Sequence, residues 1–222
     1  MGYKFNRNCH VESLEDRLFC VREIQTRASG NEAGSDRFGV FGNQIESAMK
    51  PDVHAPATIG IGERIAGAER LFGEWGEKLK KEERIGRLIH RLEADLRRSR
   101  KTMRRLGIID ACARCDENTP EGSCCSRGLE RKYGPLLLLV NLLLGVDLPQ
   151  RRQRGDSCYF LGPCGCALRV RHMLCVDYLC PELEKTLGQK SLVEIQTVSG
   201  DEIVSAFLLE EAVRETMKQL LQ

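Results

Sequence analysis

Residues 61–107 read IGERIAGAERLFGEWGEKLKKEERIGRLIHRLEADLRRSRKTMRRLG, and their periodicity decides the fold class. Ile61, Ile65, Ala68, Phe72, Trp75 and Leu79 are spaced 4-3-4-3-4. Ile85, Ile89, Leu92, Leu96, Ser99, Met103 and Leu106 resume at 4-3-4-3-4-3, with Ser99 as the polar member. Apolar residues at this spacing form one stripe on an α-helix, and that stripe must be buried. The step from Leu79 to Ile85 is six residues rather than seven, so the phase slips near Lys80–Gly86. The segment is therefore one bent helix or two helices meeting there. Gly107 follows the last apolar position and suits a C-terminal cap.

Working outward, the chain changes character at once. Nine of its eleven cysteines lie between Cys112 and Cys180, and only Cys9 and Cys20 lie elsewhere. Inside this region Leu129–Leu148 reads as a buried helix with Pro135 in its first turn. Pro149 and the basic loop 151–155 end it. Ser199-Gly200-Asp201-Glu202 has the capping-box pattern and predicts a C-terminal helix with Ile203, Phe207, Val213, Met217 and Leu220 facing inward. On the N-terminal side, Val11–Ile24 predicts a short helix, and Ser29–Gly42 and Met49–Pro56 read as loops. Glu23–Glu32 weakly echoes Glu194–Glu202, as a repeated strand-turn would, although chance explains the match better.

The expected architecture is mainly α: a long amphipathic helix or helical hairpin plus an irregular, metal-stabilised cysteine-rich domain. Its divisions are 1–60 (irregular with a short helix), 61–107 (amphipathic helix), 108–186 (cysteine-rich) and 187–222 (C-terminal helix). A chain of 222 residues with 41% hydrophobic residues builds a core without needing disulfides. The longest apolar run, Leu136–Val146, spans roughly 17 Å as a helix, against ~30 Å of hydrocarbon. No membrane span is expected, and no secretory leader is read at Met1–His10. A cytoplasmic location follows as an expectation, and in a reducing compartment clustered cysteines point to metal or redox chemistry. Lys78–Arg105 carries twelve Lys/Arg against four Asp/Glu, in a chain of net charge +2. Such a run is a solvated helix face more often than a nucleic-acid site, and few aromatics stand near it to stack on bases. The apolar stripe of 61–106 is the expected surface for a protein partner or self-association.

Thiolates are soft donors suited to zinc and to iron–sulfur clusters. Cys112-x2-Cys115 is a natural half-site from one tight turn. Cys124-Cys125 is the sharpest detail, because successive side chains diverge and one ion seldom takes both. The candidate ligands are Cys112, Cys115, Cys124, Cys125, Cys158, Cys166, Cys175 and Cys180, with Cys164 and His172 as secondary candidates. They read as two half-sites, 112–125 and 158–180, braced by the Leu-rich helix. The excess over four thiols leaves room for two zinc ions, one cluster with spare thiols, or a cluster plus a redox pair. His10, His54 and His90 show no partner spacing. No acid–base or nucleophile constellation beyond the thiols stands out, so catalytic residues are unassigned.

This region resembles the bacterial cysteine-cluster family described as zinc- or iron-chelating domains. Cys112, Cys115, Cys124 and Cys125 match the first part of its pattern. Cys158-Tyr159-Phe160-Leu161-Gly162 matches the start of the second part; Cys166, Arg171 and Cys175 match its end. Tyr178 sits where an aromatic is usual. Departures are the eight-residue gap before Cys124, His172 in place of a proline, Arg169 near the usual tyrosine, and a short Cys166–Cys175 interval that makes Cys164 and Cys166 compete. The resemblance implies metal or cluster binding. The resulting expectation is an iron–sulfur protein, 4Fe–4S in type, with a redox or electron-transfer role. The alternatives are a structural or interaction module holding one or two zinc ions and, third, a basic metal-dependent nucleic-acid binder.

Overall fold

A computed structural model describes residues 59–118, 123–163 and 165–220. The expected Val11–Ile24 helix and the two N-terminal loops lie outside them, as do Cys9, Cys20, Cys164, His10, His54 and the first copy of the sequence echo.

The described chain is mainly helical. The opening segment forms two helices, α1 (Ile61–Lys81) and α2 (Glu83–Arg105). Gly60 N–H donates to Glu63 Oε2 at 3.2 Å, which starts α1. The phase slip is one extended residue, Glu82 (φ −72°, ψ 121°), whose carboxylate accepts from Ile85 N–H at 2.6 Å. Glu82 thus ends one helix and caps the next. Gly107 takes the left-handed conformation (φ +70°) expected of a cap, and α3 (Ile108–Asn118) starts directly after it. The capped geometry needs φ > 0, which glycine adopts without a Cβ clash.

The Leu-rich helix is shorter than the expected 129–148. Leu129–Lys132 is a 3-10 turn, and α4 runs from Pro135 to Leu143. Proline excludes the residue before it from the helical region; Gly134 is extended (φ −81°, ψ 164°) and Pro135 opens the helix. Gly145 (φ +76°) closes it. A two-residue hairpin follows, β1 (Leu161–Gly162) antiparallel to β2 (Gly165–Cys166), with Leu161 opposite Cys166. Then come α5 (Met173–Asp177) and α6 (Pro181–Leu220), the latter kinked at Gly188 (φ 67°, ψ 158°).

The C-terminal helix corrects the sequence reading. It opens at Pro181, not at Ser199. Ser199 and Glu202 are buried in mid-helix, so their capping-box spacing marks an inward polar face instead. The second copy of the echo, Glu194–Glu202, is likewise helix rather than strand and turn. Of the expected inward residues Val213 and Met217 are buried, whereas Phe207 and Leu220 are exposed. The buried face is Ile195, Val198, Ser199, Glu202, Ser205, Leu209, Ala212, Val213 and Met217.

Helix α6 runs antiparallel to α2. Arg84 bonds to Glu215 (2.7 Å), Asp95 to Ser205, Arg98 to Asp201 (2.9 Å) and Arg105 to Glu194. Helix α1 packs on α4. One core joins α1, α2, α4, the hairpin and the end of α6, and includes Ile65, Leu79, Leu92, Leu138, Phe160 and Leu209. A smaller core gathers Ile108, Leu183, Ile195 and Val198. The apolar stripe of 61–106 is therefore covered within the chain, which withdraws it as the surface expected for a partner. No helix among the described residues is long and apolar enough to cross a membrane.

Candidate thiol centre

Six separate pieces of chain supply the eight described candidate thiols. Cys112 and Cys115 lie on α3, three residues apart and so on one face of a helix rather than in the expected tight turn. Cys124 and Cys125 sit in the turn leading to the Ser126–Ser157 bridge. Cys158 follows that bridge, and its N–H donates to Cys125 O at 2.7 Å. Cys166 is on β2, Cys175 on α5, and Cys180 immediately precedes α6. No disulfide joins any of the eight among the described residues; Cys158 is buried, Cys112 and Cys124 are exposed and the others are half-buried.

Their surroundings fix the pieces relative to one another. Tyr133, buried after the 3-10 turn, brings its hydroxyl to 3.6 Å from Cys175 Sγ and accepts from His172 N–H at 3.0 Å. Its ring meets Phe160 edge-on at 4.9 Å. His172 caps α5: its Nδ1 accepts from Leu174 N–H at 3.2 Å and its carbonyl from Cys175 N–H at 2.7 Å. That engages one ring nitrogen of a secondary ligand candidate.

Sequence reasoning missed four positioning residues. Asn141 is the one polar side chain of α4. Its Oδ1 accepts from Arg169 and Val170 N–H, both at 2.9 Å, and its Nδ2 donates to Leu137 and Val170 carbonyls, both at 3.0 Å. It thus holds the irregular segment between Cys166 and Cys175 against α4. Glu130 pairs with Arg152 and accepts from Gly128 N–H (2.9 Å). Burial raises its carboxyl, but the bonds from Arg152 and the backbone outweigh burial and hold it below the usual range. Asp116 pairs with Arg154 and accepts from Ser123 Oγ (2.7 Å), which itself accepts from Cys125 N–H (3.2 Å). The basic loop is therefore a double clamp over the Cys124–Cys125 turn. The available signal was a basic run after a brace whose far side carries Asp116 and Glu130. Glu202 is the fourth: 1% exposed, it lies 3.7 Å from Arg171, and neither oxygen accepts a hydrogen bond among the described residues.

The thiols act on one another electrostatically. Desolvation, then Cys124, Cys180 and Cys115, push Cys112 up to about 11, while Arg171 draws it back. Cys125 donates to Cys124, which lowers Cys124 to about 6 and raises Cys125; burial and then Cys124, Cys166 and Cys175 raise Cys125 further. Burial, and more weakly Cys166, Glu130 and Cys175, push Cys158 up to about 11. Burial raises Cys175 as well, against the Tyr133 hydrogen bond. Burial also works against the Arg171 cation, but Glu202, Cys166, Tyr133 and Cys175 outweigh it. Arg171 is thus the cation among the sulfurs, and Glu202 is its anchor.

The donor set fits a soft metal: many thiols, mutually repelling when charged, with a guanidinium beside them. As placed, the set is open. Among the described residues no group of three or more His, Cys, Asp or Glu side chains is arranged to hold a metal ion. No protein-family model, curated protein or solved structure matches the chain.

Proposed function

We propose that the chain is a metal-binding protein whose clustered thiolates carry an iron–sulfur cluster, 4Fe–4S in type, with a redox or electron-transfer role. One observation carries this reading: eight thiols from six separate pieces of chain come close enough to act on one another. Burial and their mutual influence hold most of these thiols protonated, and a bound metal would take the place of those protons; cysteine thiolates are the usual cluster ligands. The exposure of Cys112 and Cys124 suits electron exchange with a protein partner at the surface. When bound, the cluster would supply one-electron chemistry. The chain supplies the thiolates, the Arg171 charge and a partly dry site. The motif resemblance to the bacterial cysteine-cluster family supports the same reading.

A zinc-bound structural or interaction module is the second reading. Cys125, Cys158, Cys166 and Cys175 pack against the main core, as ligands of a folding-linked metal do. Anaerobic purification followed by iron, sulfide and zinc analysis separates the two. Iron with matching sulfide supports the cluster; zinc without iron supports the module. Nucleic-acid binding ranks below both, because Arg84, Arg87, Arg91, Arg98 and Arg105 of the basic run are engaged in ion pairs within the chain.

A further inference from the structure

The outer face of the α2–α6 pair carries two features that the fold leaves unused. The first is charge. Between residues 96 and 105, α2 holds six cations and no acidic residue. Arg98 and Arg105 reach across to Asp201 (2.9 Å) and Glu194 on α6, and Arg100 donates to Arg169 O at 3.0 Å. Arg97, Lys101 and Arg104 remain. All three are exposed, and none makes an ion pair among the described residues. Their 4-3 spacing sets them in one row, where like charges repel, so the fold itself gains nothing from them.

The second feature is apolar. Val193, Val204 and Phe207 of α6 are 52%, 49% and 60% exposed. Val193 precedes Val204 by about three turns and Phe207 follows it by about one, so the three share a face about 21 Å long. Both features flank one seam. Lys101 lies between Arg98 and Arg105 on α2, and Val204 lies one turn beyond Asp201 on α6. The ion pairs Arg98–Asp201 and Arg105–Glu194 are themselves about half exposed. The seam therefore meets solvent with unpaired cations on its α2 side and bare apolar side chains on its α6 side. The core-facing sides of both helices are separate residues.

We propose that this face docks an acidic partner protein, with carboxylates over Arg97, Lys101 and Arg104 and apolar side chains against Val204 and Phe207. The unpaired charge selects an acidic occupant. The apolar row selects a protein over a nucleic acid, whose phosphates would meet the cations and leave Phe207 in water. A second copy of the chain fits poorly, because Glu194 and Asp201, the carboxylates it would bring on this face, are already paired. The proposal does not depend on what the thiols hold.

The test is fluorescence anisotropy with the full chain at low ionic strength and three labelled probes. They are a synthetic amphipathic helix with leucine on one face and glutamate on its flanks, the same helix with lysine for glutamate, and a single-stranded oligonucleotide. The glutamate helix is expected to bind and the lysine helix not. Phe207→Ser, and separately the triple variant Arg97→Glu/Lys101→Glu/Arg104→Glu, are each expected to weaken binding on the order of tenfold. The triple variant Arg127→Glu/Arg131→Glu/Lys132→Glu reverses as many exposed cations on another surface and is expected to leave binding intact. All the replaced side chains are exposed, and far-UV circular dichroism checks each fold. Equal losses in the two triple variants would show charge attraction without a site and overturn the proposal. It is overturned equally if the glutamate helix does not bind, or if the two helices bind alike. An oligonucleotide that binds more tightly than the glutamate helix and ignores Phe207→Ser would assign the cations to nucleic acid instead. A dimer in sedimentation that Phe207→Ser abolishes would make a second copy the occupant, again overturning the proposal.

Discussion

At the residue scale, the Cys124–Cys125 pair shows how one hydrogen bond separates two chemically identical groups. Cys125 donates and is raised; Cys124 accepts and is lowered from 9.0 to about 6. Cys124 is also exposed, so in metal-free protein at pH 7 it is expected to be alkylated first, as peptide mapping after brief iodoacetamide treatment would show. Because its folded-state value is depressed, its contribution to stability is complete above pH 9 and is lost as pH falls through about 6. Uniform labelling of all eight thiols would remove this assignment. Asn141 is the second residue-scale case. Replacing it by Leu leaves the Arg169 and Val170 N–H groups without their acceptor, at about 1–3 kcal/mol for each buried donor. Urea denaturation is expected to show that loss. A third expectation concerns Arg171: Arg171→Met strands the buried Glu202 carboxylate, so thermal stability falls, and removing both charges in Arg171→Met/Glu202→Leu recovers much of it. A double variant no more stable than Arg171→Met would show that the pair is not coupled.

At the element scale, legibility followed the purity of the periodic signal. Helices α1 and α2 were readable because their stripe is apolar and regular, and the six-residue step located the break that Glu82 makes. Helix α6 was misread because its buried face is mixed. Ser199, Glu202 and Ser205 point inward toward α2, where Asp95 meets Ser205, so polar residues that look like a cap belong to a buried seam. Nothing local in the sequence marks such a seam; it exists only once Asp95 of α2 and Arg171 supply its partners. Truncation tests the orientation. Leu96→Ala, in the core, is expected to cost about 2–5 kcal/mol, whereas Phe207→Ala, 60% exposed, stays within about 0.5 kcal/mol. Comparable losses at both positions would contradict the assigned face of α6.

At the scale of the whole molecule, the candidate ligands were legible from sequence as a list, because cysteine clustering needs no fold to be seen. Their grouping was not. The sets 112–125 and 158–180 are neighbours in sequence, but the chain folds Cys125 onto Cys158 and brings Cys180 to the core beside α3. The clamps from Arg152 and Arg154 and the anchor at Asn141 are likewise long-range contacts that no local pattern announces. A metal bound across these pieces adds a cross-link between segments already held by apolar packing, hydrogen bonds and ion pairs, so loading is expected to raise the thermal midpoint. The most direct measurement of the central claim is metal and sulfide analysis of the full chain purified without oxygen, read beside its visible absorption. The account predicts a brown protein with iron and acid-labile sulfide in equal amounts. A colourless protein without iron or sulfide, whether zinc-loaded or metal-free, would contradict it.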